Sequence, residues 1–151
     1  MAKFIYRMEN ILNIKYKMEE QAKQEYMTVR MRLNEAEEEL ERLKRRKDGY
    51  FDTYRQLVSE KLKVLEIEQC KEAIILMDEY IAAQKQVVKS IELELEAAIR
   101  KMNEAMQERK IHENLKENQF EIFLQELNQE EMKEIDQLVS YQYNDTSGEE
   151  E

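Results

Sequence analysis

Apolar residues recur along the first part of the chain at alternating steps of three and four residues. The series that starts at Ile5 and ends at Leu57 meets 13 apolar residues in 16 positions, and its exceptions are Lys15, Glu19 and Lys47. This spacing places one narrow apolar stripe along an α-helix, the seam by which coiled-coil helices pack together. The pattern therefore predicts a long first helix over about residues 3–58.

A second series of the same kind begins at Ile67 and runs to Ala105, with Gln84 as its only polar member. The two series differ in phase, because continuing the first one beyond Leu57 meets the polar residues Lys61 and Glu68. The chain must therefore turn between about residues 58 and 66, where Ser59 is a candidate for ending one helix or capping the next. The second helix is predicted over about residues 66–141.

These patterns predict an all-α fold, a long antiparallel two-helix coiled-coil hairpin in which helix two overhangs helix one. If the chain folds back at residue 62 or 63, facing residues have numbers that add to about 126, and the rod is about 100 Å long. Lys15 and Glu19 then lie opposite Arg109 and His112, and a Glu19–Arg109 pair would form a polar layer that fixes the register. The hairpin is expected over residues 1–143, followed by a disordered acidic tail, 144–151.

Composition supports a helical protein that stays in the cytoplasm. The chain has no Pro, two Gly and 38% charged residues, so it lacks the residues that mark strands and frequent loops. The longest aliphatic run, Ala73 to Met77, is far shorter than the roughly 20 residues of a membrane span. No signal-peptide pattern is expected. Cys70 is the only cysteine and lies on the second seam, which favours core packing over redox chemistry.

The net charge of −10 is concentrated at one end of the chain. Residues 1–116 contain equal numbers of acidic and basic residues, whereas residues 117–151 contain 11 acidic residues and only Lys133 to offset them. In the overhang from about residue 121, Phe120 and Phe123 stand near further apolar residues and are expected to have no intramolecular partner. An apolar face on an uncovered helix indicates a binding surface, and a partner protein is favoured over end-to-end dimerisation or fraying.

The residue types of an enzyme or cofactor site are missing from the sequence. There is no Gly-rich loop for phosphates, and the Glu-x-x-His motif is absent because Arg109 stands three residues before His112, the single histidine. Glu108, His112 and Glu113 offer ligands for a stray divalent ion, but a seam or surface histidine is the favoured interpretation. The basic cluster over 42–47 is short and lacks interleaved aromatic residues, so nucleic-acid binding is not expected. We predict no catalytic, cofactor or metal residues.

Several segments resemble the FliJ family of flagellar export proteins. They are the opening MAKFIYRMENIL of residues 1–12, the run ERKIHENLK of residues 108–116, and the ending with Phe120-x-x-Phe123, Glu131-x-Lys133 and Asp136. The resemblance covers residues 1 to about 140, and the length and hairpin phase agree with it. It implies an antiparallel coiled coil similar to the central stalk of rotary ATPases.

The resemblance also implies two protein partners. The end that carries both termini would enter the ring of the export ATPase FliI, and the hairpin body would contact the cytoplasmic domain of the export gate protein FlhA. The ATPase-facing candidates by position are Arg7, Glu9, Arg109, Lys110, Glu113, Lys116, Phe120 and Phe123. The gate-facing candidates are Glu39, Leu43, Arg46, Tyr50, Ala73, Met77, Tyr80 and Gln84.

Four of the gate-facing candidates, Leu43, Tyr50, Met77 and Gln84, also lie on the seams, so packing between the helices is an open alternative for them. The leading hypothesis is a non-enzymatic stalk and coupling subunit of the flagellar type III export ATPase, held peripherally at the inner face of the cell membrane through the export apparatus. Family proteins are also described as recycling export chaperones. The alternatives are the stalk protein of a virulence-type secretion system and a self-associating scaffold coiled coil.

Overall fold

A computed structural model describes residues 2–60 and 63–148 and contains two long α-helices, α1 (Glu9–Ser59) and α2 (Val64–Gly148). The helices pack against each other, and the described residues include no strand. The predicted all-α helical hairpin is confirmed. Among the described residues, no helix has an apolar stretch of the length and purity that a membrane crossing requires.

Helix α1 begins later than predicted, because residues 2–8 are not helical. The backbone N–H of Glu9 donates to the carbonyl of Tyr6 at 3.2 Å, and that of Leu12 donates to Met8 at 3.1 Å. Glu9 places a carboxylate in the first turn, where the helix dipole favours negative charge. The periodic positions Ile5 and Met8 therefore belong to a separate N-terminal segment.

Helix α1 ends and helix α2 begins on either side of the segment where the change of phase predicts a turn. Helix α1 ends at Ser59, whose hydroxyl donates to the carbonyl of Gln56 at 2.9 Å. Helix α2 begins at Val64, and the N–H of Ile67 donates to the carbonyl of Lys63 at 3.1 Å. Residues 61 and 62 of the predicted turn lie outside the described residues.

The C-terminal end of α2 extends further than predicted. Residues 144–148 were expected to start a disordered tail, but they are helical as far as Gly148. No Pro interrupts this segment, and its hydroxyl groups bond to backbone carbonyls one turn earlier: Thr146 donates to Gln142 at 2.9 Å and Ser147 donates to Asn144 at 2.9 Å. Residues 149–151 of the predicted tail lie outside the described residues.

The two apolar series form the buried seam of the hairpin. Every position of the first series from Leu12 to Leu57, and every position of the second from Ile67 to Ala105, is buried or half-buried. Cys70 is buried on this seam, as predicted from its place in the pattern. Only the positions before α1 depart from the pattern, since Ile5 is 76% exposed and Met8 is 40% exposed.

The chain divides into two compact units, of which the second comprises Glu20–Glu104. Its core cluster is made of aliphatic side chains from both helices, with Tyr26, Val29 and Leu40 packed against it. Arg32 pairs with Glu94 at 2.7 Å and Lys101 pairs with Glu25 at 2.8 Å across the helices. The residue numbers of both pairs add to the predicted value, so the antiparallel register is confirmed within this unit. The buried members of the cluster are Leu33, Ala36, Val88, Ile91 and Leu95.

The first unit comprises Met1–Glu19 together with Ala105–Glu151. It contains the N-terminal segment, the first turns of α1 and the last part of α2. Leu12 is buried in this unit, and Lys116 of α2 pairs with Glu9 of α1 at 2.9 Å. The polar seam positions Lys15 and Glu19 also lie in it, together with Arg109 and His112.

Candidate functional site

A buried ion pair joins α1 and α2 inside the first unit. Glu19 is 5% exposed, and the Arg109 guanidinium donates to its carboxylate through both Nε and Nη2. Nη1 of Arg109 also donates to Glu113 at 2.9 Å. The hydrogen bond to Glu19 raises the pKa of Arg109 above its usual range, which favours the charged guanidinium. The Glu19–Arg109 pair predicted from the sequence is confirmed.

Further polar side chains surround this pair. The hydroxyl of Tyr16 donates to Glu113, and this bond raises the pKa of Tyr16 above its usual value of 10.0. Lys15 pairs with Glu108 at 3.3 Å. Together these contacts interrupt the apolar seam with a polar layer, which we define as Lys15, Tyr16, Glu19, Glu108, Arg109, His112 and Glu113.

His112 occupies the polar layer with few contacts. Its Nε2 lies 4.0 Å from Glu108, and its Nδ1 is buried without a hydrogen-bond partner among the described residues. The described residues contain no group of three or more His, Cys, Asp or Glu side chains arranged to hold a metal ion. His112 is half-buried, and its ring lies within the polar layer of the seam.

The eight ATPase-facing candidates separate into two sets in the structure. Arg7 and Lys110 are exposed, so their charges face solvent. Glu9 and Lys116 pair with each other, and Arg109 and Glu113 belong to the polar layer. All eight candidates lie in the first unit, and four of them are used in contacts between the helices.

Phe120 and Phe123 have an aromatic partner that the sequence analysis did not foresee. The ring of Phe4 lies 5.1 Å from the ring of Phe120 and 5.5 Å from the ring of Phe123, measured between centroids. The expectation that this pair has no intramolecular partner is wrong, because α1 begins only at Glu9 and the non-helical residues before it pack on α2. Even so, 43% of Phe120 remains exposed.

The last part of α2 has no cover within the described chain. Every residue from 128 to 148 is exposed, including Met132, Ile135 and Val139, which are 54–61% exposed. These three residues are spaced three and four apart and therefore share one face of the helix. An apolar face flanked by acidic residues is thus available to a partner at this end of the chain.

A groove in the second unit contains six of the eight gate-facing candidates. It has a volume of about 360 Å³ and is open to solvent. Tyr80 is 50% exposed at this groove, and Arg46 is exposed beside it. The groove is lined by Glu39, Arg42, Leu43, Arg46, Met77, Tyr80, Ala83, Gln84 and Val87.

The gate-facing candidates on the seams are partly or fully used by packing. Met77 is 5% exposed, and Gln84 donates from Nε2 to the carbonyl of Ala36 at 3.0 Å. Leu43, Tyr50 and Ala73 are half-buried. Met77 and Gln84 therefore serve the seam, and Tyr80 and Arg46 are the candidates that remain open to a partner.

Sequence reasoning missed an exposed apolar stripe on α2 beside the seam. Leu76, Tyr80, Ala83 and Val87 follow steps of four, three and four residues, one position before the seam residues 77, 81, 84 and 88. Leu76 is 44% exposed and Val87 is 45% exposed. The signal was present as adjacent apolar residues at 76–77, 80–81 and 87–88, which make the apolar face wider than one seam requires.

The fold and these surfaces define a two-helix coiled-coil protein whose seam is closed within one molecule and whose exposed faces lie outside that seam. The model of the flagellar FliJ protein family matches residues 4–148 of the chain. The chain therefore belongs to the FliJ family, and the resemblance seen in its sequence is confirmed. Membership implies a stalk-type role in flagellar export, in which the family supplies a structural subunit rather than an enzyme. No curated protein and no solved structure matches the chain significantly.

Proposed function

We propose that this protein is a non-enzymatic stalk and coupling subunit of the flagellar type III export ATPase complex, which binds a FliI-like ATPase ring and the cytoplasmic domain of a FlhA-like export gate. One observation carries the proposal. The seam of the hairpin is already closed within a single chain, yet apolar faces outside the seam remain exposed in both units. Exposed apolar faces mark surfaces for partner proteins, and the closed seam removes the surface by which coiled coils usually self-associate.

The first unit supplies the surface that we assign to the ATPase. Arg7 and Lys110 present exposed charges, and Phe120 and Phe123 provide an apolar contact that is only partly covered. The exposed end of α2 adds a strongly acidic helix face, since residues 117–151 contain 11 acidic residues and one Lys. A ring lining with basic residues would match this charge and would speed association.

The second unit supplies the surface that we assign to the gate. Its groove combines the exposed Tyr80 and Val87 with the guanidinium groups of Arg42 and Arg46. Exposed aromatic and Arg residues contribute most to protein–protein affinity when a partner buries them. Binding there would hold the protein at the inner face of the cell membrane without any insertion of its own.

Two further roles follow from the family. A cytoplasmic protein with uncovered apolar helix faces also suits the recycling of export chaperones, which we assign to the exposed part of α2. The stalk protein of a virulence-type secretion system would use the same surfaces, and genome neighbourhood separates it from the flagellar one. The self-associating scaffold is less well supported, because the seam that it would need is occupied within the hairpin.

The test pairs two variants against two purified partners. Lys110→Glu should weaken binding to the export ATPase and leave binding to the gate domain unchanged. Tyr80→Ala/Val87→Ala should have the opposite effect, and Leu93→Ala, at a residue 59% exposed that lies outside the groove, is the matched control. Binding of neither partner by the unaltered protein, together with concentration-dependent self-association, would favour the scaffold instead.

A further inference from the structure

The N-terminal segment before α1 packs on the other helix of the first unit. Residues 2–8, which we call the strap, are not helical, and the ring of Phe4 contacts α2. The ring of Phe4 meets Phe120 edge-on, at an interplanar angle of 71°, and meets Phe123 at 50°. These arrangements are favourable for aromatic pairs, so Phe4 anchors the strap over the aromatic pair of α2.

The rest of the strap fits poorly. The hydroxyl of Tyr6 is buried without a hydrogen-bond partner among the described residues. Its hydrogen bonds to water are lost on burial and are not replaced, which costs free energy. Ile5 is 76% exposed. A groove of about 350 Å³ remains where the strap meets Leu115 and Gln119 of α2. Release of the strap would return the Tyr6 hydroxyl to water and would cost chiefly the contacts of Phe4.

The strap also presents the chemistry that we expect of a partner at this place. It offers an aromatic side chain flanked by the basic residues Lys3 and Arg7, and it lies on a helix whose residues from 117 onwards are almost all acidic or uncharged. A partner that inserts an apolar side chain between basic residues would make the same contacts with Phe120 and Phe123. The strap and such a partner cannot occupy these two rings together.

We propose that the strap is an intramolecular competitor for the Phe120–Phe123 pair, which it masks in the free protein and leaves when a partner with a basic-rimmed apolar surface docks. The identity of that partner as the export ATPase rests on the proposed function. The masking itself does not. Only molecules whose strap is open can bind the partner, so the apparent affinity is the intrinsic affinity multiplied by the open fraction. Weakening the strap should therefore tighten binding.

The masking is tested first in the free protein, where the absence of Trp from the chain provides a clean probe. The emission of Phe4→Trp should be blue-shifted relative to that of Ile5→Trp, the control at the exposed neighbouring position. Adding Phe120→Ala/Phe123→Ala should remove the shift. Phe4→Ala should also increase binding of an apolar fluorescent dye, and the same two alanines should cancel the increase. Equal emission from Phe4→Trp and Ile5→Trp, or unchanged dye binding, would overturn the proposal.

The competition is then tested with the purified export ATPase. Saturating ATPase should shift the emission of Phe4→Trp to the red, and Phe4→Ala should tighten binding by about two- to tenfold, the factor that one aromatic contact supplies. Circular dichroism should show an unchanged helix content, since Phe4 lies outside α1. If Phe4→Ala weakens binding or leaves it unchanged, the strap is no competitor. If the unaltered protein does not bind the ATPase, the proposed function fails, and the free-protein measurements alone decide the masking.

Discussion

Glu19 and Arg109 form an ion pair inside a largely apolar seam, with the Glu19 side chain 6% exposed and that of Arg109 20% exposed. The polar positions Glu19 and Arg109 lie at the same level in the observed register. A shift of one helix by a heptad in the direction that brings Met102 opposite Glu19 would bury the carboxylate against an apolar residue. That arrangement carries a desolvation cost that the observed register avoids.

The first prediction concerns this pair. Arg109→Leu alone should lower the urea midpoint, because the buried carboxylate of Glu19 loses a charged partner. Glu19→Leu/Arg109→Leu should restore the midpoint to the value of the unaltered protein or above, because an apolar pair replaces an ion pair that was costly to bury. A double variant that is less stable than Arg109→Leu would contradict this account.

The register itself can be tested by crosslinking. Arg32 and Glu94 form an ion pair at 2.7 Å across the helices, next to Leu33 and residue 93, which the sequence analysis places opposite each other. In a Cys70→Ser background, a short bismaleimide should therefore join Arg32→Cys/Glu94→Cys within one chain, seen as a monomer of altered migration on a denaturing gel. Arg32→Cys/Val87→Cys, about two helical turns away, is the control and should crosslink less within one chain. Only intermolecular products from the first variant would refute the antiparallel pairing.

Much of this fold could be predicted because the packing of a coiled coil follows from the spacing of its apolar residues. The two series of apolar residues located the seam, their difference in phase located the turn, and the polar exceptions at Glu19 and Arg109 located the register. Periodicity reports which face of a helix is buried, but not where the helix begins. Ile5 and Met8 continue the period of α1, although they precede its first residue, so the strap and its contact with Phe120 were missed.

The candidate site was predicted less completely, for a related reason. The heptad series predicts that Met77 is buried but makes no prediction for its neighbour Leu76. The exposed apolar residues beside the seam were therefore missed. Met77 proved to be buried, whereas Tyr80 is half exposed. Adjacent residues differ by about 100° around a helix. This small rotation decides whether a side chain is buried between the helices or exposed to a partner.

Met77 and Tyr80 lie about one helical turn apart in the groove of the second unit and should respond differently to substitution. Met77→Ala should lower the free energy of unfolding by about 2–5 kcal/mol, because it leaves a cavity in the seam. Tyr80→Ala should change it by only about 0.5 kcal/mol, because half of the ring already faces solvent and Ala favours the helix. Urea denaturation provides both values. Affinity for the gate domain should fall with Tyr80→Ala under conditions where both variants are folded, and a loss confined to Met77→Ala would remove the groove from the proposal.

Tyr16 gives a prediction about pH. Its hydroxyl donates to Glu113, and this bond raises the pKa of Tyr16 above 10.0 in the folded protein. The neutral phenol is the form that the fold favours, so its contribution to stability is complete below pH 10 and is lost as pH rises through the higher folded value. Absorbance titration should show one late-titrating tyrosine, which disappears in Tyr16→Phe and moves down in Glu113→Gln. Tyr143→Phe, at an exposed position, is the control. A titration unchanged in Tyr16→Phe would contradict the assignment.

The acidic end of α2 gives the last prediction. Glu121, Glu126, Glu130 and Glu131 lie on the exposed part of the helix, where only Lys133 offsets the negative charge. Replacing all four by Gln keeps the helix and its polar surface but removes four of the 11 acidic charges of residues 117–151, so ATPase binding should weaken and its dependence on salt should flatten. The weaker binding should appear mainly as a slower association rate, because exposed charges attract the partner before contact more than they stabilise the complex. The matched control replaces Glu35, Glu37, Glu38 and Glu41 on α1 by Gln, which removes the same charge from the other unit and should leave the association rate unchanged. Equal slowing by both variants would show that net charge alone, rather than this end of α2, attracts the ATPase.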